Sequence, residues 1–414
     1  MARLPVVVVG AGLAGLTCAA ELVSAGHDVV VLEASDGVGG RIRSDVVDGF
    51  TIDRGFQVLN TAYPALRDIV GRLDLRPLPR GVRIRRGGML HDVPHPLSSP
   101  TAVIRGARSG AADLRGKLAL ARYAGALTVA STAAVKRRRD VAAPVAWADH
   151  VPAEVVRDVL VPFLSGVVLE PEITTSRVFT DLMMRMFARG TSAVPATGMQ
   201  ALPEAVAARL PDGAIRLASP VAGVGRDAVT LEDGSVVDGR AVVVATDAWV
   251  AHALLPGLGA PPAARGVTTY YFAAAPWSGH DGRLTLDADR SGVTNSVVLT
   301  ASAPEYSRDG RALIATSVLH DGTAPALPPD AAREVAVQLH DAPDRGWELV
   351  AVRDVPHALP AMPAPHPLRR PVHLPEPGVW VTGDHRDTSS IQGAIVSGRR
   401  TARSVARALT SVSR

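Results

Sequence analysis

Four consecutive valines, Val6 to Val9, begin the apolar pattern of the chain. A run that is apolar on both sides of the pleat predicts a strand buried on both faces, as in a parallel sheet. Residues 13–24 then predict a helix that Gly26 ends, and 29–32 repeats the buried-strand pattern. Strand, glycine-rich turn, helix and strand make one βαβ unit. The same grammar returns much later. Residues 199–210 predict a helix, 213–226 and 228–231 short strands joined by turns, Asp233-Gly234 a hairpin, and 241–245 another buried strand. Residues 379–382 and 391–408 predict a last strand and helix.

Between these pieces the pattern changes. Residues 97–189 predict mostly helix, while 266–319 alternates like an antiparallel sheet. The proline-rich stretches 260–263 and 356–371 fall where the chain would cross from one part to the other. The expected fold is α/β: a Rossmann-type domain with a parallel sheet, assembled from 1–80, 196–255 and 371–414. A second, α+β domain has a mainly helical part, 81–195, and an antiparallel part, 256–370. At 414 residues the chain exceeds one typical core, which agrees with two packed domains.

Charge narrows the function. With 44 basic and 40 acidic side chains, and no basic tail, nucleic-acid binding has no electrostatic case. Lys117 and Lys136 are the only lysines and Cys18 the only cysteine. A single cysteine rules out an internal disulfide, a CxxC pair and a cysteine-based zinc cluster, and a reducing cytoplasm is the simple expectation. The apolar first strand is not read as a secretory signal, because Gly10, Gly12 and Gly15 interrupt it and Glu21 follows.

Gly10-Ala11-Gly12-Leu13-Ala14-Gly15 spells GxGxxG between a strand and a helix, the context that gives the motif meaning. The first glycine turns the chain, the second admits a pyrophosphate to the backbone, and the third lets helix and strand pack closely. The helix N-terminus adds unpaired amides and partial positive charge. Glu33, followed by Ala34, ends the second strand about twenty residues on, where a carboxylate accepts from ribose hydroxyls. These residues predict dinucleotide binding without choosing between NAD and FAD.

The next residues choose. Asp36-Gly37-Val38-Gly39-Gly40-Arg41 resembles the GG-R extension of the flavin amine oxidase and carotenoid desaturase superfamily, a resemblance that assigns Gly40 and Arg41 to the FAD pyrophosphate. It continues along most of the chain. Gly49 to Gly55 resembles the segment beside the flavin ring, which would include Gly55 and Phe56. Gly198 to Pro203 resembles the returning nucleotide segment, with Val221 where such proteins clasp the adenine, and 241–246 fits the strand that follows. Val381 to Asp384 with Ser390 to Gly398 is similar to the second FAD motif. There Gly383 and Asp384 would meet the ribityl chain or phosphate, and the helix start at Ile391, Gln392 and Ala394 would face flavin N1 and O2. A helix dipole so placed stabilises an anionic reduced flavin. The resemblance implies one FAD, and Cys18, far from the ring segments, implies non-covalent binding.

Within the superfamily, amine oxidases typically hold a flavin-facing lysine on the strand matching 266–272, and many frame the substrate with two aromatics. This strand has no lysine, and Ser390 stands near one cage position. Gly55 to Pro64 resembles plant-type phytoene desaturases and hydroxysqualene-processing enzymes instead. That branch implies dehydrogenation of a hydrophobic, isoprenoid-like molecule, with hydride passing to flavin N5 and an apolar tunnel positioning the substrate. Amine or amino-acid oxidation is the alternative. A redox-neutral isomerase and a flavin-bearing partner protein are alternatives of another class. Without a second GxGxxG at a strand–helix junction, oxygen or a quinone is the expected acceptor.

Three features are open to bland readings. Residues 118–135, apolar apart from Arg122 and a few hydroxyls, precede Lys136-Arg137-Arg138-Arg139. They suit an interfacial helix making peripheral membrane contact, or, more commonly, a core or tunnel-lining helix. His91 and His95 flank Asp92-Val93-Pro94, which predicts a polar hairpin, and no metal site is expected. His385 would lie near the flavin phosphates or the substrate entrance, or, more commonly for such a residue, serve only ordinary loop hydrogen bonding. No catalytic base is apparent.

Overall fold

The computed structural model describes residues 4–95, 113–321, 327–374 and 378–412. The predicted buried strands form one five-stranded, all-parallel sheet in the order Ile215–Arg216, Val29–Leu32, Val6–Val9, Ala241–Val244, Val379–Val381. Chain segments far apart in sequence are thus neighbours: Val8 pairs with Val31 on one side and Val243 on the other. The helix Leu13–Ser24 and the last helix, Ile391–Val412, pack together against this sheet. Gly398 permits that approach, since a Cβ there would strike Ala14 O. Cys18 is fully buried in this layer, and burial pushes its thiol far above the ordinary range.

A seven-stranded, mostly antiparallel sheet forms the second layer system, in the order Glu348–Pro360, Ala264–Ala274, Ala312–His320, Asn295–Val298, Thr285–Asp287, Val82–Arg86, Met89–Val93. Its one parallel pair joins Thr285–Asp287 to Val82–Arg86. Helix Val161–Val168 packs on its strand Thr285–Asp287, and helices Leu114–Val129 and Arg177–Arg189 pack on each other.

Three expectations need correction. Pro356 lies inside a strand, not in a crossing loop: Glu348–Pro360 is the sheet edge, and its register slips between Arg265 and Val267 opposite, where a missing N–H is tolerated. The stretch 118–135 is not one helix. Leu114–Val129 ends at Ala130, and the Ser131 side chain accepts from Ala134 N to start Thr132–Lys136. No helix of the described residues is long and apolar enough to cross a membrane. The antiparallel sheet also extends beyond 266–319, taking strands from 82–93 and 348–360. His91 lies on the second strand of the expected hairpin, opposite Ile84. Residues 97–112 of the stretch read as helical lie outside the described residues.

Candidate functional site

A cavity of about 870 Å³ runs between the two sheet systems. One end is built at the tips of the parallel strands. Gly10 turns the chain with φ +105, Gly12 caps the first helix, and a Cβ on Gly15 would collide with Gly10 O. Gly39 bridges to Gly12 and donates its N–H to Ala11 O at 2.9 Å, so the second glycine cluster lies against the first. Gly40, at φ +60, approaches Gly12 closely. Around Gly12 the direction a Cβ would take is open for 4 Å. That opening is a cradle of the kind that a pyrophosphate requires.

Glu33 ends its strand nine-tenths buried. Its Oε2 accepts from Ala11 N at 2.7 Å and its Oε1 from Ser35 N at 2.9 Å and Ser35 Oγ at 2.7 Å. Glu33, Ala34, Val221 and Glu232 line this end of the cavity. Further along, Arg41 donates through Nη2 to Asp384 Oδ2 at 2.8 Å and through Nη1 to Ala358 O at 2.7 Å. Asp384 is only 4% exposed. Arg41 thereby ties the parallel-sheet system to the long edge strand of the antiparallel one.

Gly55, Phe56, Gly383, Ile391 and Ala394 line the middle of the cavity. Phe56 N donates to Thr269 Oγ1 at 3.2 Å, and Gln57 Nε2 to Arg41 O at 2.8 Å, which fixes this segment between both sheets. Beneath it Asp53 is buried: Ser44 Oγ donates at 2.6 Å, Met199 N at 2.9 Å and Tyr306 OH at 3.0 Å. Burial lifts its carboxyl to about 6 against those three donors.

Of the residues nominated from sequence, Gly10, Gly12, Leu13, Ala14, Glu33, Ala34, Gly40, Arg41, Gly55, Phe56, Val221, Gly383, Asp384, Ile391 and Ala394 line this one cavity. Ala11 and Gly15 do not; they pack beneath the turn that shapes it. Gln392 is turned away, its Oε1 accepting from Ala65 N at 2.9 Å, so its side chain serves the neighbouring turn. His385 also departs from expectation. It lies behind Asp384, outside the cavity and edge-on to His252 at 6.4 Å. Burial first, then nearby Arg386, holds its imidazole down to about 3, which keeps it neutral.

Sequence reasoning missed the other end. Its roof comprises Leu160, Phe163, Val167, Met183 and Phe187, and its floor is the sheet face bearing Val267, Leu319 and Val355. Leu160 ends a π-helical turn, Val156–Leu160, a deviation frequent at functional sites. The amphipathic spacing of Met183 and Phe187 was a signal, though one shared by any core helix. Neither lysine lines the cavity. Tyr271 and Tyr306 are spent on Asp53, and Tyr270 reaches Leu327 O on the opposite face, so none of the three frames the chamber. Among the described residues no group of three or more His, Cys, Asp or Glu side chains could hold a metal.

Comparison with known proteins agrees with this geometry. The L-amino-acid oxidase of Crotalus adamanteus is 44% identical over 71 residues, 17% of this chain and 14% of that protein. The chloroplastic 15-cis-phytoene desaturase of Narcissus pseudonarcissus is 42% identical over 73 residues, 17% of this chain and 13% of that protein. The matched stretches thus span about one seventh of these relatives' length. Whole-chain likeness comes from structures. A candidate protoporphyrinogen oxidase from Exiguobacterium superposes with TM-score 0.72 at 19% identity, over 98% of this chain and 99% of that one. Putrescine oxidase bound to putrescine gives 0.68 at 17%, over 98% and 99%. The model of flavin-containing amine oxidoreductases matches residues 13–406. The chain belongs to the flavin-containing amine oxidoreductase family.

Proposed function

We propose that the protein dehydrogenates a hydrophobic small molecule, with an isoprenoid-like skeleton as the first class to test. The observation that carries this reading is the chamber at the flavin-ring end of the cavity, where Leu160, Phe163, Met183 and Phe187 face Val267 and Leu319. Such a surface orients an apolar substrate by shape and excludes water. The absence of lysine from the cavity lining separates it from the pattern expected of an ordinary amine oxidase.

In this reading the cradle at Gly12 and Gly40 receives the FAD pyrophosphate, Glu33 the ribose, Val221 the adenine, and Asp384 with Arg41 the ribityl–phosphate region. The start of the last helix, at Ile391 and Ala394, supplies positive dipole beside the ring. When bound, FAD supplies a hydride acceptor at N5. The protein's part is to orient the substrate C–H and keep the chamber dry. Oxygen or a quinone serves as the acceptor that restores the cofactor. The helix Leu114–Val129 supports admission of substrate from an apolar phase: Leu120 and Ala124 line the cavity while Leu118 is 62% exposed.

Amine or amino-acid oxidation is the second reading, favoured by the names of two similar proteins. Anaerobic titration of the holoenzyme with isoprenoids, amines and amino acids, followed by bleaching of the visible flavin band, distinguishes them. Bleaching by an isoprenoid is the expected result. Bleaching by an amine or amino acid alone overturns the ranking, and a spectrum untouched by every class points to redox-neutral chemistry.

A further inference from the structure

The floor of the apolar chamber carries a polar pair that the chemistry above does not use. Asn295 and Ser317 stand directly opposite each other on neighbouring antiparallel strands, and both line the cavity. They are 5% and 4% exposed. Residues so opposed hold their Cβ atoms roughly 5 Å apart.

Their neighbours one position along face the other side of the sheet and are satisfied. Ser296 Oγ and Thr316 Oγ1 bond at 2.9 Å, and His340 Nε2 reaches Ser296 Oγ at 2.9 Å. Asn295 and Ser317 have no side-chain hydrogen bond among the described residues, and Asn295 Oδ1 is buried without a partner. Leaving an amide unpaired in apolar surroundings destabilises a fold, so such a group is retained where something else completes it. The opposite wall makes room for it. Gly166 lies within Val161–Val168, a poor place for glycine, and a Cβ there would collide with Asn295 Nδ2.

We propose that Asn295 and Ser317 form a hydrogen-bonding subsite that fixes one hydroxyl group on an otherwise apolar substrate. The amide offers a donor and an acceptor and the serine hydroxyl can play either part, which a substrate hydroxyl complements. The pair is neutral, so an ammonium group placed there would lose its water without gaining a counter-charge. This inference rests on the hydrophobic-substrate reading and adds to it the polar group by which the substrate is registered against the flavin.

The test uses the FAD-loaded full chain and three matched probes, dodecane, dodecan-1-ol and dodecan-1-amine, compared at equal free concentration. Binding is read from perturbation of the visible flavin spectrum. The alcohol is expected to bind about tenfold tighter than the alkane, the size of one neutral hydrogen bond, and tighter than the amine. Asn295→Leu should bring the alcohol-to-alkane ratio close to one without weakening the alkane. Ser317→Ala, which removes a single oxygen, should lower the same ratio if the leucine variant fails to fold. Equal binding of alcohol and alkane, tightest binding of the amine, or an undiminished ratio in the folded variants overturns the subsite alone. No spectral response to any of the three overturns the hydrophobic-substrate reading and the subsite with it.

Discussion

Asp53 is buried where three separate stretches of chain meet, held by Ser44, Met199 and Tyr306. Its carboxyl is lifted from 3.8 to about 6, with burial as the main cause. An acid held above its ordinary value binds its proton more tightly in the folded state. Its contribution to stability is therefore full below 3.8 and lost as pH rises through about 6. That lift corresponds to about 3 kcal/mol. Asp53→Asn, which keeps an acceptor for Ser44 Oγ and Met199 N, should remove that pH-dependent loss. Denaturant unfolding of both proteins from pH 4 to 8 checks it: the gap between them should shift in the variant's favour by about 3 kcal/mol, and parallel curves would refute the assignment. Glu33 differs because it is scaffold to Ala11 and Ser35 and, in the proposed reading, also holds the ribose. Glu33→Ala strips Ala11 N of its acceptor and the ribose of its partner. FAD affinity should fall about tenfold to a hundredfold, as for a charge-assisted hydrogen bond, measured by flavin fluorescence quenching on titration.

At the scale of elements, the two glycines around the first turn separate binding from folding. A Cβ on Gly12 meets nothing within 4 Å but points into the cradle, whereas one on Gly15 collides with Gly10 O. Gly12→Ala should leave the melting temperature of the FAD-free protein within about a degree, as expected of a substitution that touches no packing, while weakening FAD uptake. Gly15→Ala should lower that temperature by several degrees, because helix and strand must separate. Differential scanning calorimetry of both, with and without FAD, tests the contrast; equal melting losses would argue against it. The same elements mark how far the sequence could be read. The βαβ unit was legible because a strand covered on both faces tolerates only apolar residues, as Val6–Val9 and Ala241–Val244 have. The strand Glu348–Pro360 was obscured because Pro356 breaks the ladder pattern, and only its edge position, a tertiary fact, makes the proline acceptable. Ser131 similarly hid a helix start inside a seemingly continuous apolar run. The glycine turn at one end of the cavity was legible because so close an approach of helix and strand demands particular glycines. The substrate end was not, since Phe163, Met183 and Asn295 differ in no visible way from ordinary core or strand residues until the fold brings them around one chamber.

Across the whole molecule, the cavity separates two sheet systems that are otherwise joined by a shared apolar core and by several polar links. Arg41 bridges Asp384 to Ala358, and Phe56 N meets Thr269 Oγ1. A cofactor filling that cavity contacts both systems, so its binding stabilises them together. At a free FAD concentration of about 100 times the dissociation constant the gain is about 3 kcal/mol, which disappears when FAD is removed. Tryptophans report on each part: Trp380 lies on the parallel sheet, Trp147 is buried among the helices, and Trp347 packs on the far face of the antiparallel sheet. Heating the holoenzyme should release flavin fluorescence and shift tryptophan emission in one coincident transition, at a higher temperature than in the FAD-free protein. Arg41→Met should lower the tryptophan transition of that FAD-free protein, because the bridge from Asp384 to Ala358 is lost. Flavin release well below tryptophan unfolding in the wild-type holoenzyme would mean that the sheets hold together without the cofactor.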